Sequence, residues 1–151
     1  MRRNVVSNKG EQNPARSEND DSGGDRVRVL HIDDSPEFVE MASTFLRKNS
    51  EKLDIEAYVD PTEVPERLAE KEFDCVVSDC GMPDMEMDGI ELHEVVRDDH
   101  PDIPYIFFTG TSRSEFPDEA VSHEATTHME KEIDPRQFAD LASLIEELAD
   151  K

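Results

Sequence analysis

The chain has 151 residues, of which 35% are hydrophobic, and a formal net charge of -22 at pH 7. This length suits one domain of ordinary size. Residues 1–26 hold five basic and five acidic residues, so the remaining residues carry all of the net charge. A domain this acidic repels nucleic acid and anionic membranes, and we expect neither as a partner.

The first 26 residues are predicted to form a disordered leader. They are rich in Asn, Ser, Gly, Asp and Glu, with little apolar content beyond Val5 and Val6. Such a segment cannot bury enough surface to offset the entropy lost on ordering. The ordered domain is expected over residues 27–149. Because the chain ends just after the last predicted helix, we expect no output domain.

Neither a membrane segment nor a zinc site is predicted. No apolar run approaches membrane-spanning length, and no apolar region follows Arg2 and Arg3 as it would in a signal peptide. Cys75 and Cys80 lack the further Cys or His residues of a zinc site, so we expect free, buried thiols in a reducing compartment. The sequence therefore predicts a cytoplasmic protein.

Short apolar runs alternate with segments of helical periodicity along the rest of the chain. Ser35 is predicted to cap the first helix and Asp134 the last. Predicted strands lie at 27–32, 55–59, 74–78, 103–108 and 126–129, and predicted helices at 36–49, 61–68, 90–100, 117–122 and from 135 onward. Five strand–helix alternations predict an α/β fold, a doubly wound parallel sheet with helices on both faces.

Asp79 follows a short apolar run, Cys75-Val76-Val77, and the run stops at Gly81 and Pro83. A run of this kind indicates a buried central strand. Its carboxyl end is where open α/β sheets bind ligands. Taken alone, Asp79 fits the start of a turn equally well.

Polar residues also follow the other strands of the predicted sheet, namely Asp33, Asp34, Thr109 and Lys131. Since right-handed crossovers place the carboxyl ends of parallel strands on one edge, these residues and Asp79 are expected to converge. Clustered carboxylates need a cation, and oxygen ligands suit Mg²⁺. A carboxylate can become an acyl phosphate, with lysine and a hydroxyl contacting the phosphate. The alternative is an acid cluster that merely binds a stray cation.

Several motifs stand at the ends of the predicted strands, namely Val29–Pro36, Asp79 with Met82-Pro83 and Asp88-Gly89, Phe108-Thr109-Gly110, and Lys131. Thr109 lies 30 residues after Asp79, and Lys131 lies 52 residues after it. By these motifs and spacings, residues 27–149 resemble the receiver domain of two-component response regulators. The resemblance implies a five-stranded, flavodoxin-like sheet in the order 2-1-3-4-5.

The resemblance also assigns roles. It implies that Asp79 is the phosphoacceptor and that Mg²⁺ is bound by Asp33, Asp34, Asp79 and the backbone carbonyl of Gly81. Thr109 and Lys131 would contact the phosphoryl group. In the switch that the family uses, Thr109 moves toward the phosphate and the residue at an aromatic position, here His128, turns inward.

The implied function is that of a single-domain response regulator, phosphorylated by a histidine kinase and signalling through protein contacts of roughly residues 113–149. It would not be an enzyme, apart from an intrinsic autophosphatase activity. One alternative is a degenerate receiver that works only as a binding module. Another is an aspartyl-phosphate phosphatase or phosphotransferase, in which an acid commonly occupies the position where this chain has Gly81.

Three departures from the family pattern stand near the predicted site. The loop Pro83–Gly89 is two residues longer than usual, Glu132 replaces a proline after Lys131, and Glu124 replaces a glycine. Thr109-Gly110 together with the last two departures is similar to receivers of halophilic archaea, and the net charge suggests the same hypothesis. Among the histidines, we expect His31 to be a core residue with satisfied hydrogen bonds and His93 to be solvated.

Overall fold

The computed structural model describes residues 26–122 and 124–150. Within that part, five parallel strands pair in the order β2-β1-β3-β4-β5. The elements are β1 (Val27–Ile32), α1 (Pro36–Asn49), β2 (Leu53–Tyr58), α2 (Val64–Glu70), β3 (Cys75–Ser78), α3 (Gly89–Asp99), β4 (Tyr105–Thr109), α4 (Asp118–Val121), β5 (Thr126–Glu130) and α5 (Gln137–Ala149). The predicted doubly wound sheet and its strand order are confirmed. The predicted leader, apart from Arg26, lies outside the described residues.

Local capping signals start several of the helices. The Ser35 hydroxyl accepts a hydrogen bond from the Phe38 amide at 3.2 Å, and proline occupies the first helical position of α1. Asp88 and Glu91 form a capping box, in which each side chain accepts from the other residue's backbone N–H, at the start of α3. Asp60 caps a 3₁₀ turn at Pro61–Glu63 that leads into α2. These ends were predictable because the stabilising contacts lie within three residues.

The bounds of other elements differ from the prediction. β2 covers residues 53–58 rather than 55–59, because it pairs along the whole of β1. The fourth helix is a single turn. The last helix begins at Gln137, and Asp134 does not cap it. The Asp134 carboxylate instead accepts from the Arg136 amide at 2.9 Å and pairs with the Arg136 guanidinium, which fixes the turn before the helix.

Each face of the sheet carries its own hydrophobic core. Alternate residues of β1 face opposite sides, so Val29 lies in one core and Leu30 in the other. Helices α1 and α5 cover the first face through Leu46 and Phe138, among others. Helices α2, α3 and α4 cover the second. Because both faces are covered, every residue of β3 and β4 is buried, as expected for central parallel strands.

None of the helices in residues 26–122 and 124–150 is long and apolar enough to cross a bilayer. Both cysteines are free thiols, as predicted. Cys75 on β3 is buried as expected, whereas Cys80 lies in the loop after that strand and is partly exposed.

Candidate functional site

The register of the sheet aligns the ends of the strands that carry the predicted site. Ile32 of β1 is in register with Ser78 of β3, and the Asp79 amide donates to the Ile32 carbonyl at 3.1 Å. The residues that follow, Asp33 and Asp79, therefore lie side by side. At the other pair of strands, the Lys131 amide donates to the Thr109 carbonyl at 2.7 Å. The backbone thus brings all four strand ends to one edge.

Three carboxylates meet at this edge. One oxygen each from Asp33, Asp34 and Asp79 lies within 4.8 Å of the others. Asp33 is buried, while the Asp34 and Asp79 side chains remain partly exposed. Burial and the neighbouring charges of Asp33 and Asp79 raise the pKa of Asp34 above its ordinary value. The cluster therefore favours a proton or a bound cation.

Lys131 is the cation that the fold places in this cluster. Its Nζ lies 2.6 Å from Asp33 Oδ2 and 3.4 Å from Asp79 Oδ2. One ammonium group faces three carboxylates, so it neutralises only part of their charge. The remaining negative charge, presented on oxygen atoms, matches the ligands that Mg²⁺ prefers. The residues present therefore fit a divalent cation.

Backbone amides fix the direction of two of these carboxylates. The Cys80 amide donates to Asp79 Oδ1 at 2.7 Å, which leaves Oδ2 facing Lys131. The Ser35 amide donates to Asp33 Oδ1 at 3.0 Å, which leaves Oδ2 for the lysine. Asp33 and Asp79 thus each have one carboxylate oxygen hydrogen-bonded to a backbone amide and the other facing the cluster.

Gly89 lets the start of α3 lie against the backbone of Asp79. Its amide donates to the Cys80 carbonyl at 2.9 Å, and a Cβ at this position would lie 1.8 Å from the Asp79 carbonyl oxygen. From the sequence, Gly89 was predicted only to end the loop that begins at Pro83. Gly81, whose carbonyl is a predicted metal ligand, is exposed in the loop after Asp79, and that role stays a prediction.

Thr109 and His128 are both linked to Thr111. The Thr109 hydroxyl accepts from the Thr111 amide at 3.3 Å, and His128 Nε2 lies 2.8 Å from the Thr111 carbonyl. Since a carbonyl can only accept, Nε2 must carry a proton in this arrangement. The His128 ring also contacts the Phe116 ring, with centroids 4.8 Å apart. The loop after β4 is thereby tied to β5.

The expectations for two histidines were wrong. His31 is buried as predicted, but its Nδ1 finds no hydrogen-bond partner among the described residues. Burial lowers the pKa of His31 to about 4, so the ring stays neutral at physiological pH. His93 is buried rather than solvated, because it lies on the side of α3 that faces the sheet. Its Nε2 hydrogen-bonds Thr126 Oγ1 at 2.8 Å.

Phe38 is not among the predicted site residues, but its ring lies against the site. The Lys131 ammonium sits 4.0 Å from the Phe38 ring centroid. A signal was present in the sequence, since Phe38 is an aromatic residue in the first turn of a helix that begins directly after the paired acids. The direction in which that ring points required the tertiary structure.

A family comparison matches most of the chain. Residues 29–143 match the model of a protein family described as "Response regulator receiver domain". A search of curated proteins finds no significant match.

Several solved structures share the fold. A CheY-like response regulator receiver domain protein from Methanospirillum hungatei is 24% identical over 83% of this chain and 94% of that chain, with a TM-score of 0.65. The chemotaxis protein CheY4 of Vibrio cholerae is 24% identical over 80% of this chain and 98% of its own, with a TM-score of 0.68. The receiver domain of NtrX from Brucella abortus is 18% identical over 79% and 98%, also at 0.68. At these identities the similarity shows the fold alone.

Proposed function

The chain belongs to the response regulator receiver domain family, and we propose that it accepts a phosphoryl group from a histidine kinase on Asp79. Receivers of this family are signalling phosphoacceptors of two-component systems and are generally not enzymes. One observation carries the proposal. Asp79 lies in a cluster of three carboxylates, with the Lys131 ammonium 3.4 Å from its Oδ2.

Asp79 would act as the nucleophile in the transfer. A carboxylate oxygen forms a bond to phosphorus while the phosphorus–nitrogen bond of the kinase's phosphohistidine breaks. A carboxylate nucleophile requires no general base, because it attacks without giving up a proton. The Cys80 amide holds Oδ1, so Oδ2 is the oxygen that faces Lys131. Oδ2 is therefore the oxygen that would form the bond to phosphorus.

The residues around Asp79 would manage the charge of the phosphoryl group. Mg²⁺, held by Asp33, Asp34, Asp79 and the Gly81 carbonyl, would neutralise phosphoryl oxygens. Lys131 would pair with a phosphoryl oxygen as a point charge, and Thr109 would donate its hydroxyl hydrogen. An intrinsic autophosphatase activity would follow from water reaching the same acyl phosphate.

Signalling would begin at Thr109. Its hydroxyl would follow a phosphoryl group on Asp79 together with the loop after β4, and that loop is tied to His128 through the Thr111 carbonyl. Movement of the loop must therefore carry the His128 ring or break this hydrogen bond. A phosphoryl group shifts the protein between two states through such differential contacts. The surface that would respond is residues 113–149, which we propose as the docking surface for a downstream protein.

The alternatives make different demands on the site. A degenerate receiver would lack a working acceptor, whereas all five polar residues of the pattern lie at the expected strand ends. An aspartyl-phosphate phosphatase or phosphotransferase would use an acid two residues after the nucleophile, and that residue here is Gly81. Phosphoacceptor signalling is therefore the function we propose.

The test is incubation of the full chain with a small phosphodonor and Mg²⁺, followed by intact-mass analysis. Asp74→Asn is the matched control, because Asp74 directly precedes β3 while Asp79 follows it. The Asp74 carboxylate accepts a hydrogen bond from the Arg28 amide at 2.8 Å. We expect one hydroxylamine-sensitive phosphoryl adduct on the wild type and on Asp74→Asn, and none on Asp79→Asn. Equal labelling of Asp79→Asn would show that the nucleophile is wrong. A wild type that takes no label from a small donor or from a kinase would favour the degenerate receiver.

A further inference from the structure

The ring of Phe38 forms one wall of the pocket around the Lys131 ammonium. The 4.0 Å between Nζ and the ring centroid is well inside the range of cation–π attraction. Three further cation–ring contacts in the described part of the chain are longer, at 5.6 to 6.0 Å. Phe38 lies in the first turn of α1 and Lys131 follows β5, so the contact joins opposite ends of the domain sequence.

The ring completes the surroundings of the ammonium group. A lysine ammonium has three N–H donors, and two carboxylates, Asp33 and Asp79, accept from it here. The Phe38 ring face covers a further side, and the Lys131 side chain is only 21% exposed. A four-carbon lysine stem is otherwise flexible. The ring thus restricts the positions that the ammonium can reach.

Neighbouring rings hold Phe38 itself in place. Its centroid lies 5.9 Å from that of Phe108 on β4, 6.3 Å from that of Phe138 on α5, and 6.2 Å from the imidazole of His31 on β1. These contacts come from three different elements of the same core. Because they back the ring from several sides, Phe38 cannot swing away from Lys131 without disturbing that core.

We propose that Phe38 is a positioning residue that keeps the Lys131 ammonium beside Asp79. Lys131 forms two ion pairs, a short one with Asp33 at 2.6 Å and a longer one with Asp79 at 3.4 Å. Asp33 is also a proposed metal ligand, so a divalent cation would compete with Lys131 for the Asp33 carboxylate. An aromatic ring does not ligate a hard cation, so the contact between Lys131 and the Phe38 ring would remain when the cation binds. This inference rests on the proposed function.

The test separates the electrostatics of the ring from its packing. Fluorination weakens the negative face of an aromatic ring while leaving its shape nearly unchanged. Phe38 is replaced with difluoro- and trifluorophenylalanine by site-specific incorporation. Phe45 is the matched control, because it is part of the same core, stacks on Phe138 at 5.3 Å, and has its own lysine, Lys48, at 5.7 Å.

We expect the rate of Asp79 phosphorylation by a small phosphodonor to fall with each added fluorine at position 38. The trifluoro variant should lose about threefold to tenfold, the size of a partly desolvated cation–π contact. Fluorination at position 45 should leave the rate unchanged. Equal rates for the wild type and the trifluoro variant at position 38 would overturn the inference.

A second measurement requires neither phosphate nor Mg²⁺. The Lys131 side-chain protons should show an upfield ring-current shift in the wild type, which Phe38→Leu removes and Phe45→Leu retains. A Lys131 resonance that ignores Phe38→Leu would overturn the inference even where phosphorylation proceeds. A wild type with the ring-current shift but no phosphorylation would overturn the proposed function, and with it the positioning role. The two failures are therefore distinguishable.

Discussion

Two clusters of charged side chains in this molecule surround their carboxylates in different ways. The strand-end cluster contains three carboxylates and one ammonium, namely Asp33, Asp34, Asp79 and Lys131. The edge-strand cluster, on β2 and α2, surrounds the Glu56 carboxylate with two cations and a phenol, namely Arg67, Lys71 and Tyr58. The first cluster has an excess of acid, whereas in the second one carboxylate has two cationic partners.

In the edge-strand cluster every neighbour stabilises the ionised acid. Arg67 contacts both Glu56 oxygens, with Nη2 3.1 Å from Oε1, and Lys71 Nζ also lies 3.1 Å from Oε1. The Tyr58 hydroxyl donates to Oε2 at 2.5 Å. Although burial opposes ionisation, hydrogen bonds from Arg67 and Tyr58 and the charges of Lys71 and Arg67 lower the pKa of Glu56 to about 2. This acid is satisfied within the fold.

The comparison shows that a carboxylate can have a structural or a chemical role, depending on its neighbours. Glu56 has a lowered pKa because its partners are all donors, whereas Asp34 has a raised pKa because burial and two acids oppose its charge. A satisfied acid stabilises the native state and has no need of a ligand. A carboxylate without a cationic partner of its own destabilises the metal-free protein and becomes functional only when a cation binds. Three measurements sharpen the contrast.

The largest expected effect is stabilisation of the strand-end cluster by Mg²⁺. At a concentration 100 times the dissociation constant, Mg²⁺ should raise the free energy of unfolding by about 2.7 kcal/mol. Asp34→Ala should remove most of this response and Asp33→Ala less of it. Urea unfolding of the full chain with and without Mg²⁺, at constant ionic strength, measures the response.

Glu56→Gln is the control for that measurement, because the edge-strand cluster has no excess acid. Its response to Mg²⁺ should equal that of the wild type. An unfolding curve of the wild type that is indifferent to Mg²⁺ would contradict the metal site.

The second effect is the loss of stability in Glu56→Gln. Without its carboxylate the variant leaves Arg67 and Lys71 without their partner, and we expect a loss of about 2 kcal/mol at pH 7, allowing for partial solvent screening. Glu70→Gln is the matched control, since Glu70 also pairs with Arg67 but is 57% exposed. Its loss should stay below about 0.5 kcal/mol. Urea unfolding compares the variants.

The pH dependence of that loss has a definite sign. The pKa of Glu56 is lower in the folded state than in the unfolded state, so its contribution is present above about pH 4.5 and is lost as the pH falls toward about 2. The stability difference between the wild type and Glu56→Gln should therefore shrink over that interval. A difference that stays constant from pH 5 to the acid limit would show that packing, not charge, causes it.

The smallest expected effect has the opposite sign. In the presence of a chelator, Asp34→Asn should stabilise the fold at pH 7 by up to about 1 kcal/mol, because it removes one of three repelling charges at a partly exposed site. Asp98→Asn, at an exposed position of α3, changes the net charge equally and should have no such effect. Thermal unfolding without divalent cations compares the two variants.

The sign of the pH dependence is also reversed for Asp34. A raised folded-state pKa means that the stability associated with its protonated form is present below about pH 3.8 and is lost as the pH rises through the folded-state value. The advantage of Asp34→Asn should therefore grow as the pH rises above that range. An Asp34→Asn variant that is less stable than the wild type at pH 7 would contradict the excess of acid in the strand-end cluster.

The sequence by itself determined the order of the elements and the membership of the strand-end cluster. The alternation of strands and helices depends on apolar periodicity, and the predicted cap at Ser35 depends on a contact within three residues. The topology of parallel sheets then places Asp33, Asp79 and Lys131 on one edge, without any knowledge of their side-chain directions. Short-range rules and one topological rule were sufficient for these predictions.

Only the tertiary structure decided which side chains face one another across elements. The contacts of Phe38 with Lys131, of His93 with Thr126, and of Arg67 with Glu56 all join different elements. Each depends on where a helix lies on the sheet and how it is rotated about its axis, and both are set by the packing of the two cores as a whole. The polar pattern of α3 allowed His93 to be placed in solvent, but the rotation of that helix brings it against β5. Residue spacing predicts which face of an element is apolar. It does not specify which side chain of another element will contact that face, because the packing of the whole core decides this.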